Sequence, residues 1–172
     1  WEQTEEFHYP LYGVPDDLLT VHLSDQYPQL KDMRLRGRLE GARVVPYYDR
    51  GQLDADKTLL QGAELLWVNS PVDAFFLHVQ GSGQIQVDEG STVAVGYAAQ
   101  NGHPYRSIGG VLIEMGELER EDVTLFTIKD WLESNPDRLY EVFAKNPSYI
   151  FFELREAGED GPVGSLNVPL TP

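Results

Sequence analysis

The sequence predicts a mainly β fold with α, carrying about three helices, and three observations predict it. Eleven Pro and sixteen Gly in 172 residues punctuate the chain too often for a helical bundle. Short runs such as GQIQVD (Gly83 to Asp88) alternate apolar with polar residues, the period of a strand with one wet face. After Asn101 the period changes to three and four, the spacing of helices with one apolar face. The composition, 41% hydrophobic with seven Phe, nine Tyr and three Trp, is that of a packed globular chain. Its length suits one domain with a sizeable core, or two small ones.

Taken in order, residues 1–34 read as irregular, because Pro10, Gly13 and Pro15 break the stretch from Tyr9 to Leu19. LLTVHLS then alternates like a short strand. RLRGRLEG (Arg34 to Gly41) alternates Leu with Arg or Glu, a strand with one solvated face, and its glycines suggest a bulge or a close neighbour. Leu60 to Val68 reads as a short helix. DAFFLHVQ (Asp73 to Gln80) reads as a strand, Gly83 to Asp88 as its partner, and Ser91 to Ala99 as a third, the meander of a small barrel or sandwich. Ile108, Val111, Leu112 and Met115 line one helix face. Thr124 is the expected N-cap of the next helix, whose apolar stripe is Leu125, Ile128, Trp131 and Leu132. Asn135 is expected to cap another, with Pro136 at its first position, where a missing N–H costs nothing. Ser148 to Leu154 reads as a final strand.

The formal charge of −15 comes with no local basic run, so a phosphate backbone is repelled and nucleic acid is not an expected partner. Acidity by itself reads as solubility. The absence of cysteine excludes disulfides and thiolate chemistry and leaves the compartment open. No apolar run approaches the ~20 residues of a membrane span, so no direct membrane contact is expected. The chain opens at WEQTEEF and stops at NVPLTP as if cut from something longer. No cofactor or metal is expected: Gly81-Ser82-Gly83 lacks the Lys of a phosphate loop, and His78 and His103 lack ligand spacing. His78 reads as a satisfied core residue. No GxSxG elbow is present. Asp73, Asp88, Glu89, Glu114, Glu117, Asp122 and Asp130 sit in turns, caps or wet helix faces rather than in the apolar pocket a general acid requires, so no catalytic residue is assigned.

Two stretches carry candidate binding chemistry. In HVQGSGQ the bland reading is a tight turn, but Gln80 brings an amide and Ser82 a hydroxyl, suited to sugar hydroxyls and acetamides. Gly81 and Gly83 let a flat pyranose ring approach the main chain. In GYAAQNGHPYRSIG, Tyr97, Asn101, Gly102, His103, Tyr105, Arg106 and Ser107 run through a loop that ends at a helix start. Ser107 is a candidate N-cap, which leaves free N–H groups beside Arg106 for an anionic or richly polar ligand. Blandly, Asn-Gly is a turn, Tyr105 core, and Arg106 an ion-pair partner.

FFLHVQGSG, GYAAQNGHPYRSIGGVLIEMGEL, NPSYIFFE and GPVGSLNVPLTP, in that order, resemble the membrane-bound lytic murein transglycosylase A family. YPLYGVPDDL, RGRLEG and VPYYDR resemble its earlier segments, so the resemblance covers residues 7–172. It implies a bacterial enzyme that cleaves the β-1,4 bond between N-acetylmuramic acid and N-acetylglucosamine without water, leaving 1,6-anhydromuramoyl ends. It also implies a double-psi β-barrel carrying the catalytic Asp, largely absent here, with a β-barrel-like inserted domain. On that likeness residues 1–34 pack on an inserted saccharide-binding domain at 35–154, and 155–172 lead toward the catalytic segment. The implied partners are peptidoglycan glycan strands and the missing catalytic barrel. The implied place is the periplasmic side of the envelope, the parent protein being associated with the outer membrane. The alternative is a protein-interaction module of a wall-remodelling complex.

Overall fold

The structure is a computed structural model that describes residues 3–88 and 91–155. In chain order its strands are β1 (Tyr9–Tyr12), β2 (Leu19–His22), β3 (Arg34–Glu40), β4 (Arg43–Pro46), β5 (Glu64–Val68), β6 (Gly83–Asp88), β7 (Ser91–Gln100) and β8 (Ile150–Arg155). Its α-helices are α1 (Arg50–Ala55), α2 (Pro71–Gln80), α3 (Ile108–Glu114), α4 (Leu125–Ser134) and α5 (Leu139–Phe143). The expected mixture of strand and helix is therefore present. Among the described residues the sheets are three, all open, and the α-helices five. The chain divides into two compact units, so the span 35–154 contributes to both, as does 1–34.

One unit takes its described residues from the stretch up to Val14, from Ala63–Ala99 and from Ile150 onward. Here β1 runs antiparallel to β5, with Leu11 opposite Leu66, and β6, β7 and β8 form a three-stranded sheet. Tyr9–Tyr12, expected as irregular, is thus a strand. Pro10 is tolerated because each strand of a two-stranded ribbon has a free edge. Leu11, Leu66, Val68, Ala74, Val95 and Phe152 form the core, with Tyr9, Leu77, Ile85 and Ile150 packed against it.

The stretch Asp73 to Gln80, expected as a strand, is instead the body of α2. Ser70 Oγ accepts from the Asp73 N–H at 3.1 Å and Pro71 takes the first turn. Val72, Ala74, Phe75 and His78 are buried three and four apart, on one face. The unbroken apolar run hid that period. His78 is satisfied: its Nδ1 accepts from the Ile150 N–H at 3.2 Å and its ring meets Phe152 edge-on. Leu60 to Val68, expected as a helix, divides at a Gln61–Gly62 turn into a 3₁₀ turn and β5, whose Leu66 and Val68 face the core.

The other unit comprises Pro15–Gly62 and Gln100–Tyr149. Its sheet places β3 between β2 and β4, with Val21 opposite Leu35 and Leu39 opposite Val44. Its helices bury Leu53, Ile108, Val111, Leu112, Leu132, Leu139, Val142 and Phe143. As expected, Thr124 caps α4, in a reciprocal box with Thr127. Asn135 does not N-cap. Its Nδ2 donates to the Trp131 carbonyl at 2.7 Å and so closes the end of α4. The Pro136–Arg138 turn that follows is 3₁₀, and α5 begins only at Leu139. Arg50 is buried at 3% exposure, donating from Nε to the Ser148 carbonyl at 3.1 Å with its guanidinium over the Tyr149 ring. Burial lowers its pKa, opposed by Asp54.

Phe152 is 1% exposed, and its truncation leaves a cavity among rigid strands. Phe152→Ala is expected to cost about 3–5 kcal/mol, against about 1 kcal/mol for loss of the cap in Ser70→Ala. Denaturant titration of both variants checks the ordering; equal losses would contradict this packing.

Candidate functional site

The residues singled out from sequence fall into two sets, one in each unit, and each set has its own local logic. In the first unit Gln80 ends α2 and is exposed, as is Ser82. Gly81 takes the left-handed conformation (φ 78°) that terminates the helix, its N–H returning to the Leu77 carbonyl at 2.8 Å. A Cβ on Gly83 would lie 2.4 Å from Leu77 Cδ2, and one on Gly81 would lie 3.9 Å from the Cβ of Tyr97. The glycines therefore serve a helix-to-strand reversal. They also bring the helix end against Tyr97, which remains 41% exposed. The result is one surface with an amide, a hydroxyl and an aromatic ring.

In the second unit Asn101 organises the loop. It is 1% exposed. Its Nδ2 donates to the carbonyls of Tyr48 (3.0 Å) and Pro147 (2.9 Å), and its Oδ1 accepts from the N–H of Tyr149 at 2.9 Å. Its own N–H donates to the Tyr149 carbonyl at 3.0 Å. Asn146, also buried, accepts at Oδ1 from the N–H groups of Arg106 (3.0 Å) and Ser148 (3.2 Å). Two carboxamides thus clamp the loop 101–107 to 146–149. His103 Nε2 lies 2.7 Å from the Tyr47 carbonyl, and since a carbonyl only accepts, Nε2 carries the proton. The Tyr47 hydroxyl donates to Asp17 at 2.8 Å. Burial and that bond push its pKa well up and keep it protonated. Ser107 caps α3 as expected. Tyr105 is 55% exposed, so it is surface rather than core. Arg106 pairs with Glu114.

This loop forms one wall of a cavity of about 340 Å³, lined by Leu35 and Arg36 of β3, Val44, Val45 and Pro46 of β4, and Asn101, Gly102 and His103. Gly102 is required at that wall. Its φ is +88°, and a Cβ would meet Arg36 Cβ at 2.9 Å and the Arg36 carbonyl oxygen at 3.3 Å. No carboxylate is among these lining residues. Glu117 is committed elsewhere: Arg138, and then the Trp131 N–H, hold its carboxyl below the usual range. Sequence reasoning missed Arg36 and Asn146. The alternation of RLRGRLEG marked a half-wet strand but gave no sign of which arginine meets the motif loop.

A family model described as the MltA specific insert domain matches residues 1–153. The chain belongs to that family. A membrane-bound lytic murein transglycosylase A of Escherichia coli (strain K12) is 37% identical over 168 residues, which is 96% of this chain and 38% of that protein. Its namesake in Vibrio cholerae is 34% identical over 169 residues, with the same shares. The chain therefore spans little more than a third of the curated relatives it matches. Among solved structures, MltA from Neisseria gonorrhoeae superposes with a TM-score of 0.82 at 32% identity, covering 99% of this chain and 49% of that one. Escherichia coli MltA with bound chitohexaose gives 0.74 at 30%, covering 98% and 42%.

Because Asn101 satisfies two carbonyls and an N–H away from water, Asn101→Ala is expected to destabilise the fold by about 2–4 kcal/mol. Asn101→Asp should be no milder, since a carboxylate would face the same two carbonyls. Thermal unfolding of both variants is the check, and a loss under 1 kcal/mol in each would remove the clamp from this account.

Proposed function

We propose that this chain holds glycan strands of peptidoglycan for a lytic transglycosylase whose proton donor lies outside these 172 residues. The observation that carries this reading is its likeness, over 98% of its length, to a relative solved with a bound oligosaccharide. The chemistry of its motifs is consistent with that ligand. Gln80, Ser82 and Tyr97 offer an amide, a hydroxyl and a ring face on one surface. Gly102, His103 and Tyr105 extend from a loop that buried carboxamides hold rigid.

In the reaction we assign to the parent protein, an acid protonates the glycosidic oxygen and the C1–O bond of the muramoyl unit breaks. The C6 hydroxyl of the same sugar attacks C1 and gives its proton to the resulting carboxylate, closing the 1,6-anhydro ring. One carboxyl group suffices because water is replaced by an internal nucleophile, whereas hydrolases need two. The cavity described above has no lining carboxylate, which fits a role in positioning rather than proton transfer. Such a role belongs on the periplasmic side of the envelope, where murein lies.

The alternative, a protein-interaction module, has one feature in its favour: Leu125 and Phe126 at the start of α4 are 62% and 78% exposed. Under the glycan reading, Phe126→Ser leaves sugar affinity unchanged.

Calorimetric titration of the chain with chitohexaose is expected to show binding that weakens about 3–10-fold in Gln80→Ala and in Tyr97→Ala, roughly one hydrogen bond or ring contact each. Incubation with murein sacculi should release no anhydromuropeptides. Absent binding overturns the proposal, and released product overturns the placement of the proton donor.

A further inference from the structure

We propose that Arg36 is a specificity-determining residue, a guanidinium that recognises a carboxylate on the muramoyl unit of the strand. This rests on the glycan reading and adds to it the charged half of the ligand.

Five of the chain's other arginines already have partners. Arg38 pairs with Glu40, Arg106 with Glu114, Arg138 with Glu117 and Glu141, and Arg155 with Glu153. Arg50 is held by the Ser148 carbonyl. Arg106, the arginine that the loop motif singles out, therefore already has its anion. Arg36 lines the cavity, and its Nε is buried with no acceptor among the described residues. Arg38 Nε is likewise buried without one, but the terminal nitrogens of Arg38 donate to Glu40 and Arg38 is not among the lining residues. A buried N–H of a guanidinium without an acceptor is costly, and native folds seldom leave one so. A ligand oxygen supplies what the fold does not.

The surroundings narrow the ligand. Gly102 and His103 border the cavity together with Arg36, and Gly102 lies against the Arg36 main chain, so this cation stands beside the motif loop. No lining group is acidic, and Leu35, Val44, Val45 and Pro46 make the remaining wall apolar. An apolar wall with one fork-shaped cation fits a sugar ring that bears a carboxylate better than it fits a neutral hexosamine. A muramoyl unit bears one in either of two forms. Without a peptide the lactyl ether ends in a free carboxylate; with a peptide that group is an amide and the carboxylates belong to the peptide.

The experiment titrates the chain with three ligands: chitohexaose, a peptide-free strand fragment alternating N-acetylglucosamine with N-acetylmuramic acid, and the same fragment carrying stem peptides. Proteins compared are the wild type, Arg36→Gln, Arg36→Lys and Arg106→Gln. Arg36→Gln is expected to weaken binding of a carboxylate-bearing fragment by about tenfold, as for loss of a charged hydrogen bond, and to leave chitohexaose affinity within twofold. The unchanged neutral ligand then serves as the control for folding. Arg36→Lys should recover only part of the loss, because the fork is gone, and Arg106→Gln should leave the preference intact. Whichever charged fragment responds identifies the lactyl or the peptide carboxylate. Equal loss for neutral and charged ligands, or no loss for either charged fragment, overturns the assignment. Chitohexaose binding with Arg36 indifferent sinks this inference alone. Failure of the wild type to bind any of the three sinks the glycan reading and this with it.

Discussion

The loop that carries most of the family motif is held by one side chain that water cannot reach. A buried carboxamide is stable only if both of its ends are matched, because each unmade hydrogen bond inside the protein costs about 1–3 kcal/mol. Asn101 meets that condition by donating to the carbonyls of Tyr48 and Pro147 and accepting from Tyr149. Those partners come from two distant parts of the sequence, Tyr48 and the segment 147–149, so the bonds form only when both are in place. With Asn101 fixed, its neighbours have little freedom: Gly102 passes over Arg36, and His103 reaches the Tyr47 carbonyl. Asn146 repeats the device at Arg106. Both carboxamides thus act through the backbone they organise.

The glycines follow from close approach rather than from flexibility. At Gly102, whose φ is +88°, a methyl group would meet the Arg36 Cβ and carbonyl oxygen, and at Gly83 it would displace the end of the Leu77 side chain. Gly81 answers a different demand, the left-handed turn that ends α2. The run Gly81-Ser82-Gly83 therefore has a folding explanation that is complete by itself. The groups around it that stay exposed are Gln80, Ser82 and Tyr97.

Much of this was legible in the sequence where local chemistry decides the outcome. The strands β2, β3 and β6 follow from alternation, β7 and β8 also read as strands, and Thr124 and Ser107 follow from the capping preference of a hydroxyl before an apolar stripe. The failures share a cause. In DAFFLHVQ every second and every third residue is apolar, so the pattern fits either period, and the deciding signal was the Ser70-Pro71 start rather than the run itself. At Asn135 the same side chain can cap a helix start or close a helix end. The contact with Trp131 settles it, and that depends on where α4 stops. Arg36 was invisible for a stronger reason. Its neighbours Gly102 and His103 lie far along the chain, and no local pattern records a pairing made by tertiary structure.

The net charge of −15 bears on the same cavity. Electrostatic repulsion of a polyanion acts at long range, and salt reduces it beyond about 8 Å at physiological ionic strength. Recognition of a single carboxylate acts at contact, through the geometry of a guanidinium fork. The two are compatible in one molecule when the cations are clustered. On β3 the alternation puts Arg34, Arg36 and Arg38 on one side of the sheet, and Glu40 is already engaged by Arg38. Repulsion of a phosphate backbone by net negative charge and contact recognition of one carboxylate by a local row of arginines do not conflict. Under the proposed glycan reading, charge arrangement rather than net charge decides which polymer can be held.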